Sequence, residues 1–170
     1  KTKRKVKDSL RELAAELIKL YARRQATKGF AYSKDTVWQT QFEEQFPYEE
    51  TEDQLKCIEE IKEDMESGHV MERLLCGDVG YGKTEVAVRA IFKAAMDGKQ
   101  VAYLVPTTVL AQQQYNSFVE RLKDFPVSVD VISRFRTQTE QKKILKNVKL
   151  GNVDVLIGTH RLLQKDIHFK

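Results

Sequence analysis

The octapeptide Gly77-Asp78-Val79-Gly80-Tyr81-Gly82-Lys83-Thr84 constrains this chain more than any other stretch, because it satisfies G-x-x-x-x-G-K-[ST] at every fixed position. A loop of this kind is expected between a strand that runs into it and a helix that runs out. Its glycines let the backbone turn tightly and expose consecutive N–H groups to phosphate oxygens. The helix opening near Thr84 aims the positive end of its dipole at the same place. Gly77, Asp78, Val79, Gly80, Tyr81 and Gly82 are therefore candidate phosphate-loop residues. Lys83 is the candidate for the β- and γ-phosphates, and the Thr84 hydroxyl is the candidate ligand of a nucleotide-borne Mg²⁺. The bland alternative is a glycine-rich turn with an incidental lysine. The loop implies a nucleotide and leaves open whether the cargo is a kinase substrate, a GTPase switch or a nucleic acid.

The flanking pattern supplies the context that the loop demands. Arg73–Cys76 is predicted as a strand and Thr84–Met96 as a helix. Val101–Val105, Val127–Ile132 and Val153–Ile157 are further predicted strands, separated by helices over Val109–Leu122 and Thr139–Leu150. Runs of Val, Ile and Leu without polar alternation point to a parallel sheet buried on both faces, joined by right-handed crossovers. The expected fold class is α/β, and with its phosphate loop the stretch over residues 51–170 resembles a partial RecA-like, P-loop NTPase lobe. Upstream, Val6, Leu10, Leu13, Leu17 and Tyr21 recur at helical spacing, so residues 1–29 read as a long amphipathic helix. Residues 30–50 form a polar and aromatic connector ending near Pro47. Thr51-Glu52-Asp53-Gln54 then has the form of a capping box that starts the next helix.

Charge is unevenly spread. The net charge is only +4, yet Lys1, Lys3, Arg4, Lys5, Lys7 and Arg11 crowd the start, and acids from Glu43 to Asp64 dominate the middle. A basic start suits nucleic acid or an acidic partner, and equally a solvated helix face. No apolar run reaches membrane-spanning length, and the start carries no apolar signal stretch. Cys57 and Cys76 form no close pair and have no zinc spacing, which fits a reduced, cytoplasmic setting.

Beyond the loop, Phe46–Gln54, Leu74–Ala90, Leu104–Tyr115, Ser133–Thr137 and Ile157–Asp166 together resemble the first motor lobe of superfamily 2 helicases. In particular they resemble the bacterial transcription-repair coupling factors, a family of double-stranded DNA translocases, and the resemblance spans essentially the whole chain. It implies ATP and Mg²⁺ as cofactors, duplex DNA as track, and RNA polymerase and an excision-repair damage-recognition protein as partners of domains outside these residues. It also implies that Phe46, Pro47, Tyr48 and Gln54 recognise adenine, by ring stacking and by an amide that both donates and accepts. The other reading of Gln54 is a plain capping box. Thr107, Thr108, Gln112, Arg134, Thr159 and Arg161 are implied as DNA-backbone contacts, near the strand ends where open parallel sheets bind ligands, with Arg136 adding charge. For Thr107 the other reading is a helix cap. The resemblance places the acidic box that holds Mg²⁺ and orients water beyond Lys170, so these residues by themselves are expected to be inactive.

Two other functions fit. A fork-rescue branch-migration helicase shares much of the loop and the Gly158-Thr159-His160 signature, but the long first helix and the run Phe46–Gln54 favour the coupling-factor resemblance. A non-enzymatic module, offering its first helix to a partner, would not need the intact Lys83-Thr84 pair.

Overall fold

The computed structural model describes residues 2–170, so Lys1 of the basic start lies outside the described residues. Helix α1 (Thr2–Ala26) carries its apolar stripe in the open, with Leu10, Leu13, Leu17 and Tyr21 all exposed. It is tied to the rest of the chain by an Arg24–Glu72 ion pair and by an antiparallel bridge between Lys28 and His69. Gly29 makes that bridge possible. A Cβ there would run into the backbone of His69.

The connector is more ordered than its composition suggests, and it holds a helix that the sequence does not announce. Helix α2 (Val37–Glu44) buries Phe42 completely, with its ring stacked on Phe92 at 4.3 Å and edge-on to Phe125 at 5.4 Å. Helix α3 (Glu52–Glu66) begins at the expected capping box. Thr51 Oγ1 accepts from the Gln54 N–H, and Gln54 Oε1 accepts from the Thr51 N–H. Its apolar face of Ile58, Ile61 and Met65 packs on Val86 and Ala94 of helix α4 (Lys83–Met96).

Strands β1 (Val101–Leu104), β2 (Val129–Ile132) and β3 (Val155–Gly158) form a parallel sheet in the order β1-β3-β2. Helices α5 (Thr108–Leu122) and α6 (Gln138–Leu150) connect them, each opened by a threonine that accepts from the third helical N–H. On one face, Phe42, Phe92, Phe118 and Leu122 cover Val131, Val155 and Ile157. On the other, Ile144 and Val148 of α6 cover Ile132 and Leu156. Only the central strand is buried on both faces. Edge strand β1 leaves Leu104 54% exposed, so the expectation of a doubly covered sheet holds for β3 and fails at β1.

The predicted strand at Arg73–Cys76 is absent. A strand needs a ladder, and this segment pairs with neither open edge of the β1-β3-β2 sheet. The segment runs without regular structure, with Leu74 86% exposed and Leu75 turned toward α3 and α4. Arg73 pins it by donating to Glu60 at 2.5 Å and Asp64 at 2.8 Å. The chain therefore enters the phosphate-loop motif from an irregular segment, not from a strand.

Candidate functional site

The glycine-rich loop turns where the sequence requires it to. Gly80 and Gly82 have φ of 87° and 67°, in the left-handed region that other residues avoid, and Gly82 is the N-cap of α4. Tyr81 N–H donates to the Asp78 carbonyl at 3.4 Å and Glu85 N–H to the Gly82 carbonyl at 2.9 Å, which closes the turn into the helix. Lys83 folds back over the loop, and its ammonium donates to the carbonyls of Gly77 at 2.6 Å and Asp78 at 2.5 Å. Thr84 follows it in α4, near the phenol of Tyr103. Burial raises the pKa of that phenol, and the bond with Thr84 pulls it partly back.

A cleft of about 530 Å³ opens against this loop, lined by Phe46, Tyr48, Gln54, Val79 to Gly82 and Glu85. The structure thus brings the candidate base-contact residues Phe46, Tyr48 and Gln54 to the same wall as the loop. The rings of Phe46 and Tyr48 meet edge to face at 5.5 Å. Gln54 serves as a capping-box residue and as a tie to the loop, because its amide nitrogen donates to the Tyr81 carbonyl at 2.9 Å. A Cβ at Gly82 would collide with that amide, a second reason for glycine at this position. Glu85 was not singled out from the sequence. Its i,i+4 relation to Arg89 just after the loop was the available signal.

A second cleft, of about 500 Å³, follows from the topology. All three strands are parallel, so the residues leaving their carboxyl ends converge: Thr107 and Thr108 after β1, Ser133 and Arg134 after β2, Thr159 and Arg161 after β3. Thr107 caps α5 by accepting from Leu110 N–H at 3.2 Å, as the plainer reading had it. Ser133 and Thr159 are nearly buried. Gln112 does not line this cleft and bonds Asn116 at 3.0 Å. Arg161 lines it already paired. Its guanidinium donates to both oxygens of Asp166, at 2.7 and 2.6 Å, which raises its own pKa and lowers that of the carboxyl. Arg136 turns away toward Glu140, at 3.7 Å. Gln141, which the sequence did not flag, bonds the carbonyls of Ser133 and Arg136 and sets the loop after β2.

Among the described residues no cluster of His, Cys, Asp and Glu could by itself hold a metal, and no helix is long and apolar enough to cross a membrane.

The chain is 58% identical over all 170 residues to the transcription-repair-coupling factors of Bacillus subtilis (strain 168) and Staphylococcus aureus (strain USA300). It spans 14% and 15% of the length of these relatives. The solved structure of RecG bound to a three-way DNA junction superposes on 89% of this chain with a TM-score of 0.83 and 38% identity, using 21% of the RecG chain. The likeness supports a RecA-like helicase lobe, in keeping with the parallel α/β sheet. The DEAD/DEAH box helicase family matches residues 51–170, from the capping box onward, and the chain belongs to that family.

Proposed function

We propose that this chain is the nucleotide-binding front lobe of a longer ATP-driven motor on double-stranded DNA, one that displaces stalled RNA polymerase and couples transcription to excision repair in the cytoplasm. The observation that carries the reading is the pair of clefts on one small lobe. One is built on an intact phosphate loop, the other on hydroxyls and two arginines at the strand ends. The identity to transcription-repair-coupling factors supports the coupling to repair, and the likeness to DNA-bound RecG supports DNA as the track.

The donor set suits a magnesium-bound nucleotide. Gly77–Thr84 offers backbone N–H groups and the dipole of α4, with Lys83 for the terminal phosphates and Thr84 for the metal. The metal, when bound, offsets phosphate charge. For Lys83 to serve, its ammonium must exchange the neutral Gly77 and Asp78 carbonyls for phosphate oxygens, so that each bond then joins two opposite charges. Phe46 and Tyr48 provide faces for adenine, and the Gln54 amide keeps one N–H beyond its bond to Tyr81. At the second cleft Thr107, Thr108, Arg134, Thr159 and Arg161 grip the DNA backbone, with Gln112 one turn along α5. They do not read sequence, as suits a motor that must step over every base pair. Partner contacts with RNA polymerase and the repair machinery lie in regions outside these residues.

Purified chain is expected to bind Mg-ATP weakly and to hydrolyse it negligibly, because the water-orienting acids of the family lie outside it. In the longer motor, Lys83→Ala is expected to lower ATP turnover by roughly three orders of magnitude or more, as with other groups that stabilise phosphoryl transfer. Calorimetric titration and a phosphate-release assay test both statements. Brisk hydrolysis by the 170-residue chain that disappears in Lys83→Ala would overturn the division of labour between this lobe and the rest of the motor.

A further inference from the structure

One wall of the nucleotide cleft is a segment, Gln45–Glu50, that has neither helix nor strand of its own. Its shape depends on tertiary contacts, and these converge on a side chain that lines neither cleft. Arg89 of α4 is 3% exposed. Its Nη2 donates to Glu50 at 2.5 Å and its Nε to Glu85 at 3.0 Å, while its guanidinium carbon sits 5.4 Å from the centre of the Phe46 ring. Burial works against the charge, but the bonds to Glu50 and Glu85 outweigh it and keep the guanidinium firmly protonated. Arg121, near the end of α5, braces the same corner. It lies 4.0 Å over the Phe42 ring and 5.9 Å from Phe46, and it donates to Glu85 at 2.9 Å.

Arg89 stands on the helix whose first residue is Lys83. A single rigid element therefore carries both Lys83, folded over the phosphate loop, and Arg89, at the back of the cleft's aromatic wall. The planar fork matters here. One guanidinium bonds two carboxylates through different nitrogens, holds a third, Glu43, at 3.9 Å, and also lies near a ring, which a lysine ammonium on a flexible stem cannot reproduce. A buried ion pair kept only for stability would not need to face that ring, and such pairs are poor stabilisers in any case.

We propose that Arg89 is a positioning residue for nucleotide binding: by holding the Phe46 ring and the Glu50 carboxylate it fixes the base-stacking wall relative to the phosphate loop, and so sets how much affinity the base contributes. This rests on the reading of the cleft as a nucleotide site.

The test is calorimetric titration of the 170-residue chain with Mg-ATP and with Mg-tripolyphosphate, which lacks the base. Wild type is expected to bind ATP the more tightly. Arg89→Gln is expected to lose about tenfold in ATP affinity, the scale of a cation–π contact and a charged hydrogen bond together, while tripolyphosphate affinity stays within about twofold. Glu50→Gln, which alters the more exposed end of the same bond, is expected to show the same selective loss at about threefold. This second variant decides the matter if Arg89→Gln fails to fold. Arg89→Lys should not restore ATP affinity. Equal losses for both ligands, no loss for either, or full function of Arg89→Lys would each reduce Arg89 to a structural countercharge and overturn the proposal. A wild-type chain that binds ATP and tripolyphosphate equally would overturn the nucleotide-cleft reading itself, and the positioning role with it.

Discussion

Arg134 and Arg161 line one cleft but keep different company, and that difference decides what each can contribute to a DNA contact. Arg161 holds both oxygens of Asp166, so the pair presents almost no net charge. Among the described residues Arg134 has no carboxylate within ion-pair distance, and its guanidinium rests 5.7 Å from the Phe135 ring. If the cleft grips DNA phosphates, each released counterion steepens the dependence of log affinity on log salt by about one unit. Arg134→Ala should then lower that slope by about one, whereas Arg161→Ala should change it by clearly less, since its loss also frees an acid. Fluorescence anisotropy on two unrelated duplexes, titrated with salt, reads both quantities. Equal slope changes for the two variants, or a loss confined to one duplex, would contradict the charge pairing seen here. The arginines themselves were legible in the sequence. Their pairing was not, because Asp166 reaches Arg161 only through the short helical turn His160–Leu163, which no periodicity announced.

Among the elements, those announced by local chemistry were readable and those made by distant partners were not. The Thr51 capping box and the Thr107 cap mark α3 and α5 in the sequence, and the glycines mark the loop, whereas the box at Thr137 opens α6 two residues before the expected start. The absent strand at Arg73–Cys76 has a strand's composition but no ladder partner, and composition cannot show that. Helix α2 failed to register for the opposite reason. Its eight residues are rich in poor helix formers, and it is held by the burial of Phe42 and by ions from elsewhere in the chain. Lys93 of α4 donates to Asp35 at 2.7 Å and to Glu66 at 2.7 Å, and Lys62 of α3 reaches Asp35 and Glu43. These ions also set the pH response. Burial pushes the Asp35 pKa up, but its bonds from Lys62 and Lys93 outweigh this and leave it lowered. Glu50 is lowered by its bond from Arg89. A lowered carboxyl contributes stability that is present above its ordinary pKa, about 3.9 for Asp and 4.3 for Glu, and lost as pH falls through the folded value. Lys62 and Lys93 are raised despite burial, so their contribution is intact below about pH 10.4 and lost only as pH rises beyond it. The melting temperature should therefore be flat between about pH 5 and 10 and fall below about pH 4. In Asp35→Asn the acid limb should be shallower, from a lower plateau. Thermal scans across this range check it, and an acid limb of unchanged steepness in the variant would clear Asp35 of any part in the acid response.

At the scale of the whole molecule, two parts meet with unequal claims on stability. The helicase-family match begins at residue 51, whereas the identity to transcription-repair-coupling factors runs through α1 as well. Physically it stands apart. At 25 residues α1 is about 37 Å long at 1.5 Å per residue, and among the described side chains none from α1 enters any of the three core clusters. Helices this isolated depend on packing that α1 lacks here, since its stripe of Leu10, Leu13, Leu17 and Tyr21 is more than half exposed. Removing residues 2–26 should therefore shift the melting midpoint of the remaining lobe by less than about 2 °C, because almost no buried area is lost. The far-UV helix signal should fall, and the early, gradual part of the thermal transition should vanish with it. Phe42→Ala sets the contrast. That ring is fully buried and stacked on Phe92 at 4.3 Å, so its loss should cost about 3–5 kcal/mol and lower the midpoint by many degrees. Circular-dichroism melts of the three proteins at one concentration make the comparison. If the truncation proved as damaging as Phe42→Ala, α1 would have to be packing its stripe on the lobe in solution, and the division of the molecule into a lobe and a free-standing helix would fall.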